Sequence, residues 1–369
     1  MIFRRKKQSQ EALYTATQWK LIRVKFMAHK PALWSLYFLF ALYFVAIFAG
    51  FFSVNDPVQR RTGQKFLPPT KIHWFDDGSW SPHVYPRKRT PLDPITLERK
   101  FIELTDQPAR LRFLPKGQSY SVLGLFEWNR HLLGTEGEKA NYFPLGTDGS
   151  GRCVYSRLLV GAQLSLSIGM LAVGMTFFLG IFIGGISGYF GGFIDNAIQR
   201  LIEVLMSFPS LPLWMALSAS LPLDWSIIKI YFAISMILSI MGWTGLARTV
   251  RSKFLALREE EFVLAARLDG AGPSRLTFRH MLPSFASHLI VSASLAIPGM
   301  ILGETTLSFL GIGLRPPAIS WGVLLQDAQN VEAVALHPWL LTPAVAVILV
   351  VVAFNFMGDG LRDAADPYR

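Results

Sequence analysis

The chain has one cysteine, Cys153, which rules out an intramolecular disulfide and any cysteine-rich metal site. The signatures of soluble catalysis are missing as well. The sequence contains no His-Glu-x-x-His pair, no nucleophile elbow and no Gly-Lys-Ser/Thr ending of a phosphate loop. The histidines (His29, His73, His83, His131, His280, His288 and His337) are scattered. His73 and His83 share one segment but have no evident third ligand, so neither a catalytic nor a metal site is assigned, and no cofactor is expected. Heptads, low-complexity tracts and short internal repeats are absent too. Charge is sparse and one-sided: 36 Lys and Arg stand against 25 Asp and Glu, a formal net charge of +11, in a chain that is only 17% charged. Nucleic-acid binding would need those basic residues gathered on a soluble, aromatic-bearing fold, and they are not, so no nucleic-acid partner is expected. Topology accounts for them better.

What the chain has in excess is apolar side chains. Of 369 residues 51% are hydrophobic, 28 are Phe, and the mean hydropathy is +0.35, beyond ordinary globular usage. The basic stretch 1–31 holds Arg4, Arg5, Lys6, Lys7, Lys20, Arg23, Lys25 and Lys30 against the single acid Glu11. The charge-free run 32–52 follows, and about 20 such residues cross a hydrocarbon core of roughly 30 Å. It is too long for a signal-peptide core and lacks a small-residue cleavage site. It is therefore expected to be a retained first span with a cytoplasmic N-terminus.

Residues 53–157 break the apolar pattern with mixed Pro, Gly, Trp and charge, and are expected outside the membrane. Short strands are predicted within Ile95–Leu114, at Phe101–Leu104 and Leu111–Leu114, with a turn at Asp106–Pro108. This insert is expected to be a small external domain, either touching a soluble partner or capping a neighbouring subunit. The core then runs over 158–357. From Leu158 to Ile194 there is no charge. That is too long for one upright helix, so span two is expected to end near Tyr189 and turn at the following glycines. Asp195, Arg200 and Glu203 mark the end of span three, which continues into Ser207–Pro212. Pro209 and Pro212 must bend it or loosen its hydrogen bonds, which makes Ser207, Pro209 and Pro212 pathway candidates. Span four is expected at Ile230–Ala247, span five at Ser284–Gly311 and span six at Pro338–Met357, with a cytoplasmic tail at 358–369. Glu304, in span five, is an ionisable group at a costly depth, and with Ser308 is either a pathway residue or a lock between helices.

Between spans four and five lies the cytoplasmic loop 248–283, rich in Arg and short enough for the positive-inside rule to count. Its central stretch runs Glu261, Phe262, Val263, Leu264, Ala265, Ala266, Arg267 to Gly270, Ala271, then Pro273, Arg275, Arg279, His280, Leu282 and Pro283. One helix is expected to end at Gly270, which takes the left-handed conformation without a Cβ penalty. A second is expected to start at Pro273, whose fixed φ suits a first helical position. The result is an L-shaped pair suited to docking in a cleft. Glu259–Glu261 suits a solvated or partner-facing edge better than an acid–base pair.

These residues resemble the EAA loop of permease subunits of bacterial ABC importers, in the version found in the dipeptide/oligopeptide/nickel class. Leu264 stands in place of the acid that names the loop, and the Arg279–His280 pair is similar to the peptide-type version. The segment Pro144–Asp148 with Gly151–Arg152 resembles that class as well, with Cys153 replacing a second Asp. So do Ser308–Gly313, Pro316–Pro317, Ser320–Gly322 and the ending from Gly358. With the resemblance, the chain reads as an all-α membrane protein of six transmembrane helices; residues 53–157, most of which the resemblance does not cover, add a small extracytoplasmic insert between spans one and two. The resemblance further implies a second homologous permease subunit, two ABC ATPase subunits, an extracytoplasmic solute-binding protein, a bacterial inner membrane with its lipid, and a peptide substrate. Nickel chelates or oligosaccharides are alternative cargo of the same class. A secondary transporter and a structural membrane protein are the readings from other classes.

Overall fold

The computed structural model describes residues 18–76, 79–91, 101–122, 126–135 and 142–366. The architecture is predominantly helical. A short helix α1 (Gln18–Ala28) leads into α2 (Lys30–Ile47), and α3 (Val154–Phe190), α4 (Gly192–Met206), α5 (Ser210–Ala219), α6 (Ile227–Leu257), α7 (Glu261–Leu268), α8 (Ala286–Phe309), α9 (Trp321–Leu325) and α10 (Thr342–Ala365) follow. Five of these segments, α2, α3, α6, α8 and α10 with the turn before it, are long and apolar enough to cross a membrane. The pair α4–α5 passes the same test together but bends by 84° at Ser207–Pro209. Pro209 withholds an N–H where the helix would continue, so the chain turns there, as its prolines predicted.

The expected end of span two holds to within a residue, and up to that point the charge-free run is a single unbroken helix. At 1.5 Å per residue, the 37 residues of α3 extend for about 55 Å, well beyond a hydrocarbon core of about 30 Å. Gly191, at φ +66°, then makes the turn.

α3 and α6 are the most closely apposed pair. A Cβ on Gly184 would stand 2.5 Å from the Ala247 carbonyl oxygen, and one on Gly188 would stand 2.8 Å from that of Arg251. Glycine is thus what lets two backbones touch, which matters in lipid, where burying apolar surface between helices gains little over contact with acyl chains. α10 packs between α8 and α2, with Val350, Ala353 and Phe354 against Leu39, Ile301 and Trp321. α1 folds back on the end of α10: Lys25 Nζ donates to the Asp366 carbonyl at 2.9 Å, and Phe26, Ala32 and Ala364 form a small buried cluster. Both described ends of the chain therefore lie together.

The insert is β-structured. A four-stranded antiparallel sheet has the order β1 (His73–Asp76), β2 (Ser79–Val84), β5 (Ala109–Phe113), β8 (Leu133–Thr135). The pairs β3 (Arg87–Arg89) with β4 (Phe101–Glu103), and β6 (Lys116–Val122) with β7 (Phe126–Arg130), stand beside it. Strands do form at Phe101 and Leu111, but they are not partners of each other. β4 pairs with β3, and β5 lies between β2 and β8. The start of that predicted stretch, 95–100, lies outside the described residues. Arg87 grips Glu103 at 2.7 Å and holds its carboxyl below the usual carboxylate range. The insert is fastened to the end of α2 by His131, whose Nδ1 lies 2.9 Å from the Gly50 carbonyl, and by the Leu132 N–H on the Phe51 carbonyl.

Gly184→Leu is expected to force α3 and α6 apart and to lower stability by about 1–3 kcal/mol. Gly245→Ala, on α6 with nothing within 4 Å of the new Cβ, is expected to be neutral. Thermal unfolding of both variants in detergent decides this: equal midpoints would refute the close-approach account.

Candidate functional site

α6 delivers the chain into the loop that the sequence singled out. Glu260 caps α7, its carbonyl accepting from Val263 and Leu264 N–H, and Glu261 sits in the first turn where a negative charge meets the helix dipole. α7 stops at Asp269. Gly270 has φ +80°, its N–H reaches the Arg267 carbonyl at 3.1 Å, and Ala271 N–H reaches Ala266 at 3.0 Å. This is a complete Schellman ending, at the glycine expected to supply it. Gly272 is extended, and Pro273 opens the next turn. From Leu276 to Met281 the winding widens to a π turn, and Leu282 N–H reaches back five residues to Thr277. Pro283 follows at once. Its missing N–H and bulky ring do not fit an α-helical ladder, and a widened turn ahead of it relieves that misfit.

The loop has two faces. Val263, Leu276, Met281 and Phe285 are buried against Leu246, Val250 and Phe254 of α6 and Leu289 of α8. Each such side chain contributes about 1.5–3 kcal/mol, so the loop is fixed to the helices behind it. The opposite face is open. Leu268 is 89% exposed, and Phe262, Leu264 and Phe278 are exposed as well. Glu261, Ala265, Arg267, Gly270, Arg275, Arg279 and Pro283 share that exposure, whereas Ala266, Ala271, His280 and Leu282 are half-buried. Apolar side chains and arginines are thus exposed together on a loop whose other face is buried.

One element of this end was not anticipated. Asp195, expected as a boundary charge, is buried, and Arg251 of α6 grips it bidentately, Nε to Oδ1 and Nη2 to Oδ2, each at 2.5 Å. Ser187 near the end of α3 donates to Oδ1, and Gln199 donates to the Ser187 hydroxyl at 3.2 Å. Three helices are thus joined near the end of α6, about two turns before it stops at Leu257. Arg200 and Glu203 form only an exposed pair at 2.9 Å.

The pathway candidates separate into two groups. Ser207, Pro209 and Pro212 lie exposed at the α4–α5 bend. Glu304 and Ser308, by contrast, are fully buried inside the bundle. Ser308 Oγ donates to Glu304 Oε1 at 2.8 Å, and Ser165 Oγ of α3 donates to Oε2 at 3.3 Å. The Ser165 oxygen also accepts the Trp321 N–H at 3.0 Å, so Glu304 joins α8, α3 and α9. His73 and His83 face each other across β1 and β2, and both ring nitrogens of His83 are engaged, by the Ser81 carbonyl and the Tyr85 hydroxyl. No group of three metal-ligating side chains occurs among the described residues.

A bundle of helices long and apolar enough to cross a membrane, with a firmly seated, exposed loop between two of them, defines a multi-pass membrane protein. Comparison with known proteins refines that class. Residues 180–368 match the family described as binding-protein-dependent transport system inner membrane component. Residues 17–69 match the N-terminal transmembrane domain of oligopeptide transport permease C. The chain belongs to the family of binding-protein-dependent transport permeases. It is 40% identical over 242 residues, 65% of this chain and 75% of the other, to the oligopeptide transport system permease protein OppC of Haemophilus influenzae. It is 38% identical over 223 residues, 60% of this chain and 70% of the other, to OppC of Bacillus subtilis. It is also 39% identical over 234 residues, 63% of this chain and 74% of the other, to the dipeptide transport system permease protein DppC of Alkalihalophilus pseudofirmus. Among solved structures, the inward-facing MetNI methionine ABC transporter is similar with a TM-score of 0.41 and 18% identity, over 56% of this chain and 95% of that chain.

A double-mutant cycle on Asp195→Asn and Arg251→Gln is expected to give a coupling of about 1–2 kcal/mol in detergent stability. Additive effects of the two substitutions would show that the contact contributes nothing.

Proposed function

We propose that this chain is a permease subunit of an ATP-driven importer of peptides, forming half of the translocation pathway. The observation that carries this is the two-faced loop Glu261–Pro283, buried behind and open in front. The names of its relatives, oligopeptide and dipeptide permeases, favour peptide cargo over nickel chelates or oligosaccharides. On this reading the α4–α5 pair is one broken span, which makes six, with both chain ends and the loop in the cytoplasm of a bacterium. The β-structured insert then lies outside the inner membrane, where it meets a solute-binding protein or caps the second permease.

With no phosphate loop in its sequence, the chain draws its energy from two ATPase subunits. Leu268, Phe262 and Phe278 enter a groove on such a subunit, while Arg267, Arg275 and Arg279 meet acids at its rim. Closure of the ATPases moves the loop, and the buried contacts to Phe254 and Phe285 carry that motion into α6 and α8. Such a device requires contacts that differ between the inward-open and outward-open states. The exposed Ser207, Pro209 and Pro212 suit a pathway formed between this subunit and a homologous one. Glu304 and Ser308, enclosed within one subunit, suit a lock between helices.

Leu268→Ala is expected to weaken ATPase association by about tenfold, the scale of one leucine lost from an interface, while detergent stability stays unchanged. Gly270→Asp is expected to uncouple transport from ATP hydrolysis by spoiling the left-handed turn. Co-purification of ATPase subunits and peptide uptake are the readouts. Normal uptake and normal ATPase binding in both variants would refute the role given to the loop.

A further inference from the structure

The strongest unexplained feature lies at the other end of the bundle, beside the insert. A cavity of about 190 Å³ is lined by Arg60, Arg152 and Arg157 together with Pro316, Pro317 and Ala318. No acid lines it. Arg157 sits in the first turn of α3 and is only 3% exposed. The helix dipole already makes that position positive, so a buried guanidinium there needs an anion. The anion at hand is Asp148, and it is shared. Its Oδ2 accepts Arg157 Nη1 at 3.2 Å and also Arg152 Nε at 2.6 Å, while Oδ1 is taken up by the Ser150 and Arg152 N–H groups. Asp327 stands 3.7 Å from Arg152 Nη2, beyond hydrogen-bond range. Arg157 Nε is buried without a hydrogen-bond partner. Arg60, exposed, has no ion pair among the described residues.

We propose that this cavity is a carboxylate-binding pocket, in which the guanidinium groups of Arg157 and Arg60 that line it receive one carboxylate. The guanidinium fork matches a planar carboxylate in two parallel hydrogen bonds, and the proline and alanine walls suit a short aliphatic stem behind it. A carboxylate bound there would offset guanidinium charge that Arg152 and Arg157 now share on the single acid Asp148. The carboxylate is either the free C-terminus of a peptide or a carboxylic acid with no peptide attached, such as an acidic side chain presents. The pocket does not depend on the docking role of Glu261–Pro283, because it lies at the opposite end of α3.

The test uses the purified full-length chain in detergent, treated with phenylglyoxal, with arginine adducts mapped by mass spectrometry. Arg200, exposed on α4, is the internal reference. Acetate is expected to slow modification of Arg60 about tenfold relative to Arg200, the scale of one charge-assisted pair, whereas chloride at equal ionic strength does not. Trialanine protecting at lower concentration than acetate, with its C-terminal amide inactive, identifies a peptide terminus. Equal protection by acetate and trialanine identifies a bare carboxylate. In a second measurement acetate raises the thermal midpoint of the native chain but not of Arg60→Gln, a variant that breaks no existing contact. Arg60 modified at the same rate with and without carboxylate, and a midpoint that acetate leaves unmoved, would overturn the proposal.

Discussion

The fold depends on one close approach, that of α3 and α6 across Gly180, Gly184 and Gly188. Hydrophobic burial cannot hold two helices together in lipid as it does in water, so the association rests on backbone-to-backbone packing and on the few polar contacts between helices. α6 reaches the loop in a fixed direction because α3 holds it along much of its length. The bidentate Asp195–Arg251 pair, with Ser187 added, then pins both helices to α4 at the same end. Without the glycines the pair would be displaced, and the loop's buried face would lose its seat on Phe254.

Order and exposure are combined in the loop itself. A surface built to meet a partner is usually either mobile or satisfied within its own chain. Here a Schellman turn, a proline start and a π turn fix the backbone, and four buried side chains anchor it, so that Leu268 stands almost wholly in the open. A partner binding this surface need not order it first, which removes a cost from association.

How much of this was legible in the sequence differs by range of interaction. The long apolar helices, the bend at Pro209, the end of α3 and the Gly270 turn were legible because each follows from local chemistry: hydropathy, a missing N–H, a missing Cβ. The insert's sheet was not. Phe101 and Leu111 were recognised as strand-forming, but their partners, Arg89 and Thr135, are set by pairings that no local pattern encodes. Asp195 was visible as a charge and not as half of an ion pair, because Arg251 lies 56 residues away among other arginines. A lone acid next to a long uncharged run, facing a basic helix end, was the available signal. Glu304 was noticed for its depth, yet its enclosure depends on Ser165, 139 residues earlier.

α3 has a mechanical consequence. It contains no proline from Val154 to Phe190, and at about 55 Å it outspans the hydrocarbon at one face or both. Such a rod transmits torque with little loss. A tilt imposed where Ser187 holds the Asp195–Arg251 clamp would appear, with the opposite sense of displacement, where Arg157 lines the cavity beside the insert. About the contact of Gly184 with Ala247 the helix would be a lever of very unequal arms, about one turn to Ser187 and about seven to Arg157. A small shift at the clamp would thus be magnified beside the insert.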